Sequence, residues 1–383
     1  MNRQKFLMST PTELSDRTMA AMARQVMART DPELLALYRQ TTDKLQRIML
    51  TRNDVVILHG EAILGLEAAL FCLMEEGDKC LVLISGSFGD GFLDWVQMYG
   101  GVPVQVRVPY NAAIDPADVE KALREHPDSK LLFVVFCETL SGTLNPAGEI
   151  CSLAAQYGVV SVIDAVTAVG SVEARVDDWH MDVCCVGSQK CFNAPPGLSL
   201  LSVSEAAWEM MRKKKRPVRW SYLSLLDWKE TWLEKGVFPY TPSMTDVYGL
   251  SAALDQVLEE GLDEVLARHG HAARVCRAGI RGMGLELWPT SEAIAAASAT
   301  VARVPEGIDG TALLRRMEEG YGVIASAGPR SLRDHQLIGL AHMGRSANPM
   351  RVIVGLAALE KSLADLGYPI RLGSGVGAAL EAM

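Results

Sequence analysis

Lys190 and Asp164 are the residues whose types and positions point most directly to chemistry. Lys190 follows the apolar, β-branched run Asp182-Val-Cys-Cys-Val-Gly187, which reads as a buried strand delivering the amine to its carboxyl end. A Pro/Gly turn and the run Leu198 to Val203 come next and predict a returning strand. Asp164 ends Val159-Val-Ser-Val-Ile163 and so sets a carboxylate in a sheet-end crevice. A buried acid needs a cationic partner or hydrogen bonds. A protonated pyridine nitrogen would serve, and structural capping is the alternative. A lone strand-end lysine is ordinarily a solvated charge. Paired with an acid on a preceding strand, it can hold one side of a flat ring while the acid holds the other.

Three further turns are candidates to surround such a ring. His59-Gly-Glu-Ala-Ile-Leu-Gly-Leu-Glu67 lies between a strand and a helix. Gly60 permits a tight turn there, and the amides of Glu61, Ala62 and Ile63 would open a helix N-terminus suited to an anion. It is not a P-loop, because no Lys-Ser/Thr follows the second glycine. Ser85-Gly-Ser-Phe88 offers an aromatic face. Cys137-Glu-Thr-Leu-Ser-Gly-Thr-Leu-Asn145-Pro146 is a strand end rich in hydroxyl and amide groups.

The elements that must position these residues alternate. Strands are expected at 55–58, 80–84, 104–108, 131–136, 159–163, 183–186 and 198–203, with helices at 62–74, 116–125 and 147–157. The expected fold is therefore α/β with a mostly parallel seven-stranded sheet, whose ligands sit at strand carboxyl ends. Residues 1–15 read as an N-terminal arm, 16–254 as a large domain beginning with helix over 16–50, and 255–383 as a smaller C-terminal α/β domain. A long helix is expected over 245–268. Beyond it, strands are expected near 285–288 and 300–304, and helices at 310–318 and 348–365.

The 383 residues are 49% hydrophobic and 22% charged with net charge −9, which fits an ordinary globular chain and argues against a nucleic-acid partner. The run Arg212-Lys-Lys-Lys-Arg216 reads as a solvated helix end. Eight cysteines sit mostly in apolar runs without metal spacing, and the histidines do not cluster, so no metal is expected and the compartment is expected to be the reducing cytoplasm. Neither a signal peptide nor a membrane span is expected.

Asp164-Ala-Val-Thr-Ala-Val-Gly170, Gly187-Ser-Gln-Lys190 and Ala194-Pro-Pro-Gly197 together resemble the class V aminotransferases, as do Glu138-Thr139, Asn145-Pro146 and Phe238-Pro-Tyr-Thr241-Pro242. Within that family the sequence is most similar to the pyridoxamine–pyruvate branch, through Val56-Ile-Leu-His-Gly-Glu61, Leu64-Gly-Leu-Glu-Ala-Ala69 and Pro109-Tyr-Asn-Ala-Ala-Ile-Asp115-Pro116. The resemblance implies the type I pyridoxal-phosphate fold and a homodimer or dimer of dimers with shared active sites. It implies that Lys190 holds the pyridoxal aldehyde as a Schiff base and carries protons, and that Asp164 keeps the ring nitrogen protonated. Phe88 would stack on the ring, and Thr139 or Ser141 would bond its hydroxyl. Gln189, the turn at Gly60, Glu61, Ala62 and Ile63, and Thr241 of the neighbouring chain would line the phosphate end. The substrates would be a small amine and a keto acid or aldehyde.

Two departures from the family pattern bear on substrate. Glu61 stands where most members carry a small residue. Two unit charges 4 Å apart repel by roughly 4 kcal/mol at an effective dielectric of about 20, so a carboxylate there opposes a phosphate. Glu61 would instead accept a hydrogen bond from the hydroxymethyl group of unphosphorylated pyridoxamine or pyridoxal; if it points outward, ordinary pyridoxal 5'-phosphate is the cofactor. Second, the family's Arg-Ile-Gly is replaced within Gly339-Leu-Ala-His-Met-Gly344, so the arginine that grips a substrate α-carboxylate is absent. Arg330, Arg333 and Arg345 are nearby, Arg330 being the first candidate and Arg345 the next. A conventional alanine- or serine-glyoxylate-type aminotransferase, a lyase or decarboxylase on the same fold, and a catalytically silent binding protein are the competing readings. A desulfurase would need a mobile small-domain cysteine, where only Cys276 is available.

Overall fold

The computed structural model describes residues 5–383, except the side chains of 333–335. Its central sheet has seven strands in the order Asp54–His59, Leu198–Val203, Val183–Gly187, Val160–Asp164, Leu131–Val135, Lys79–Ile84 and Val102–Arg107. All pairings are parallel except those of Leu198–Val203, which runs antiparallel to both neighbours. The returning strand after Lys190 is thus present. Leu131–Val135 and Leu198–Val203 are buried along their whole length, because helices cover both faces and leave no polar side to alternate with. Helix Ala62–Leu73 packs so close to the sheet that a Cβ on Gly65 would lie 2.7 Å from Ser199 Cβ.

Helices Pro116–Glu125, Ala147–Gln156, Gly310–Tyr321 and Pro349–Asp365 fall where the periodicity predicts them. Several expectations are corrected. The helix over 16–50 is two helices, Asp16–Met22 and Pro32–Met49, the second opened by Asp31 as N-cap with Pro32 at its first position. The helix over 245–268 breaks at Gly261 (φ +92°) into Met244–Glu260 and Leu262–Gly282. Residues 285–288 make only the single bridge Leu287–Ala302, since Pro289 cuts the run short. Helix Ser87–Met98 and strand Leu337–Ala341 were not expected; the latter pairs with Ala299–Arg303 and with Ser326–Ala327.

Two large hydrophobic clusters organise most of the interior. The larger surrounds the central sheet, reaches Val265 and includes Ala296; the smaller gathers residues of helix Leu262–Gly282 from Ala272 with others of the C-terminal part. Met8 belongs to the smaller cluster. Within the arm, Phe6–Leu7 pairs in parallel with Val323–Ile324. Lys214 of the basic run is half-buried and donates to Phe71 O and Met74 O at 2.6 and 2.7 Å, closing the end of helix Ala62–Leu73.

Candidate active site

Asp164 and Lys190 line one pocket at the carboxyl ends of the adjacent strands Val160–Asp164 and Val183–Gly187. The strand register sets Asp164 opposite Cys185, so Lys190 falls beyond the strand end in the following turn. Asp164 Oδ1 accepts one hydrogen bond, from Val166 N–H at 3.0 Å. Burial pushes this carboxyl up to about 6, against the pull of the Lys190 amine. Burial also depresses Lys190, opposed by the charges of Glu61 and Asp164. Lys190 Nζ donates to Thr10 Oγ1 at 3.1 Å.

Phe88 is 36% exposed and faces the pocket from the second position of helix Ser87–Met98. Thr139 also lines it, its hydroxyl 2.6 Å from that of Thr167. Ser141 is fully buried, with its hydroxyl turned to Glu138 O, and does not line the pocket.

Glu61, Ala62 and Ile63 form the opposite wall. Glu61 is the N-cap of helix Ala62–Leu73: Oε2 accepts Ile63 N–H at 2.9 Å and Oε1 accepts Gln189 Nε2. Gly60 makes the turn behind it; a Cβ there would lie 2.7 Å from Leu64. Gln189 is buried, and its Oε1 has no hydrogen-bond partner among the described residues. The helix-terminus amide and the glutamine amide that would meet a phosphate are thus engaged by the chain's own carboxylate.

Other candidates lie elsewhere. Thr241 is exposed and does not line the pocket of its own chain. Arg330 is exposed in a groove with Asp309, Thr311 and Gln336, and Arg345 in another with Arg17 and Arg268; neither lines the Lys190 pocket. The Arg333 side chain is outside the described residues. His342, at the position of the missing arginine, is fully buried between Thr300 Oγ1 (2.8 Å) and Ala297 O (3.0 Å), and burial pushes it down to about 3. Cys276 is fully buried, which does not suit a mobile nucleophile.

Some pocket residues were not expected. Ser9 and Thr10 come from the arm, and Ala299, Ser326 and Ala341 from the second core's sheet. The apolar start Phe6-Leu-Met before the hydroxyl-rich Ser-Thr-Pro-Thr12 was the available signal for a docked arm. Glu138, at 0% exposure, supports the site from behind: it accepts Gly89 N–H at 2.9 Å and Phe88 N–H at 3.2 Å, and burial raises its carboxyl to about 8.

The donor set fits a pyridine ring: a buried carboxylate with acceptor capacity to spare for a ring N–H, an amine, an aromatic face and a hydroxyl. Among the described residues no helix is long and apolar enough to cross a membrane, and no group of three or more His, Cys, Asp or Glu could hold a metal ion.

The family model for aminotransferase class-V matches residues 7–348. Pyridoxamine–pyruvate transaminase of Mesorhizobium japonicum is 38% identical over 97% of this chain and 94% of its own length. Among solved structures, pyridoxamine-pyruvate aminotransferase from Mesorhizobium loti superposes with TM-score 0.95 at 37% identity, covering 98% of this chain and 96% of that one. Ureidoglycine-glyoxylate aminotransferase from Bacillus subtilis gives TM-score 0.95 at 26% identity, covering 100% and 98%.

Proposed function

The chain belongs to the class-V aminotransferases, and from that premise we propose that it moves an amino group between unphosphorylated pyridoxamine and a small keto acid or aldehyde. The observation that carries this reading is Glu61, whose carboxylate engages Ile63 N–H and Gln189 Nε2. A phosphate dianion would have to displace that carboxylate or sit against it; a neutral hydroxymethyl group can donate to it instead.

When bound, the pyridoxal ring supplies an electron sink that acidifies the carbon bearing the amine. The chain's residues have the other roles. Asp164 accepts the ring N–H and, by its charge, favours the protonated nitrogen. Phe88 covers one ring face, and Thr139 bonds the ring hydroxyl. Lys190, its proton affinity depressed by burial, can act as a base as well as a nucleophile. Two copies would complete each other's sites, the exposed Thr241 of one reaching its neighbour. Eight free, buried cysteines support a reducing, cytoplasmic setting.

Titrating apo-protein with pyridoxal and with pyridoxal phosphate, followed by absorbance, tests the reading. Pyridoxal is expected to bind at least as tightly; tight binding of the phosphorylated form alone sinks the proposal. It would also establish pyridoxal 5'-phosphate as a conventional cofactor.

A further inference from the structure

The arm crosses between the two halves of the molecule and ends on the candidate lysine. Phe6–Leu7 pairs with Val323–Ile324, and Met8 O accepts Ala341 N–H at 2.8 Å. Four residues on, Thr12 grips the turn that carries Lys190. Its N–H donates to Gln189 O at 3.0 Å, and its hydroxyl lies 2.9 Å from both Gln189 O and Lys190 O. Glu13 fixes the far end through Arg351 at 2.6 Å and through Asn193 Nδ2, which donates to Glu13 O at 3.0 Å. Thr10 sits between these anchored points, lines the pocket and receives the hydrogen bond from Lys190 Nζ at 3.1 Å.

We propose that Thr10 is a positioning residue for Lys190, its hydroxyl aiming the free amine into the pocket in both protonation states. A hydroxyl can accept from an ammonium and can donate to the lone pair of a neutral amine, which neither a carbonyl nor a carboxylate can do. Lys190 must exist in both forms if it takes a proton from one substrate carbon and returns it to another. The groups facing the amine are Glu61, Asp164 and Cys191. Among the described residues, Thr10 is its one hydrogen-bond partner. The anchors at Met8 and Thr12 hold the hydroxyl in place without help from substrate.

The test uses apo-protein with no pyridoxal compound, so it does not depend on which form of the ring binds. Acylation of Lys190 by acetic anhydride is read peptide by peptide by mass spectrometry across a pH series. Thr10→Val removes a hydrogen bond that is stronger to the ammonium than to the neutral amine, so the labelling midpoint is expected to fall by roughly half to one pH unit. Thr10→Ser is expected to restore it. In turnover, Thr10→Val is expected to lower kcat about tenfold with KM for pyridoxamine changed less than about twofold. An unmoved midpoint overturns the proposal. A raised midpoint overturns it too, because it would mean that the arm has merely come away and opened the lysine to water.

Discussion

The two ends of the pocket each carry a carboxylate, and their surroundings give the two acids opposite tasks. Asp164 is buried at a strand end with one backbone donor, so its charge is poorly solvated and a cationic ring nitrogen would relieve it. Glu61 is exposed on a helix N-terminus, where the backbone amide, the helix dipole and Gln189 already satisfy it. One acid has a single backbone donor and seeks a cation; the other has two donors and withholds them from an anion. Residue type alone does not distinguish these roles, whereas burial and donor count do.

The sharpest way to break the contrast is Asp164→Asn, which keeps the shape and removes the charge. Uncompensating a buried ionic contact costs about 3–5 kcal/mol, so kcat for transamination is expected to fall roughly 10²- to 10⁴-fold. A loss below tenfold in steady-state turnover would show that the buried acid does not govern the ring.

Glu61→Ala addresses the opposite end. It frees Ile63 N–H and Gln189 Nε2, so pyridoxal phosphate is expected to bind about ten- to a hundredfold more tightly and pyridoxal about tenfold more weakly. Absorbance titration of the variant measures both. Unchanged affinities for both would mean that Glu61 does not read the 5' position.

A third effect is on stability. Asp164 titrates near 6 in the folded chain and near 4 when unfolded, so between these values the native state binds more protons. Stability therefore declines as pH rises from about 4 to 6, by at most about 3 kcal/mol from this group. Glu138, raised to about 8, adds a decline of the same sign extending to higher pH. Denaturant midpoints of wild type minus Asp164→Asn across that window isolate the Asp164 part; a flat difference would mean the aspartate is more solvated than its burial implies.

Much of the large-domain sheet was legible because its strands are short apolar runs between turn residues, as at Leu131 to Val135 and Leu198 to Val203. Helix Ser87–Met98 was not, since Ser-Phe-Gly-Asp-Gly opens it with poor helix formers, its N-cap Gly86 offers no side chain, and two of its first amides are met by Glu138, remote in sequence. The same limit applied to the arm. Phe6–Leu7 is too short to register as a strand until Val323–Ile324 lies beside it.

By itself the sequence determined that Asp164 ends a buried strand, that Lys190 closely follows the next, and that an acid stands at the Gly60 turn. Local pattern suffices for these, because strand ends and tight turns are fixed by residues close in the chain. Only the tertiary structure decided that Gln189 reaches Glu61, that His342 is buried away from the pocket, and that Thr10 meets Lys190. Each of these contacts joins residues distant in sequence, and such hydrogen bonds follow from how separate elements pack, for which periodicity and propensity leave no local trace.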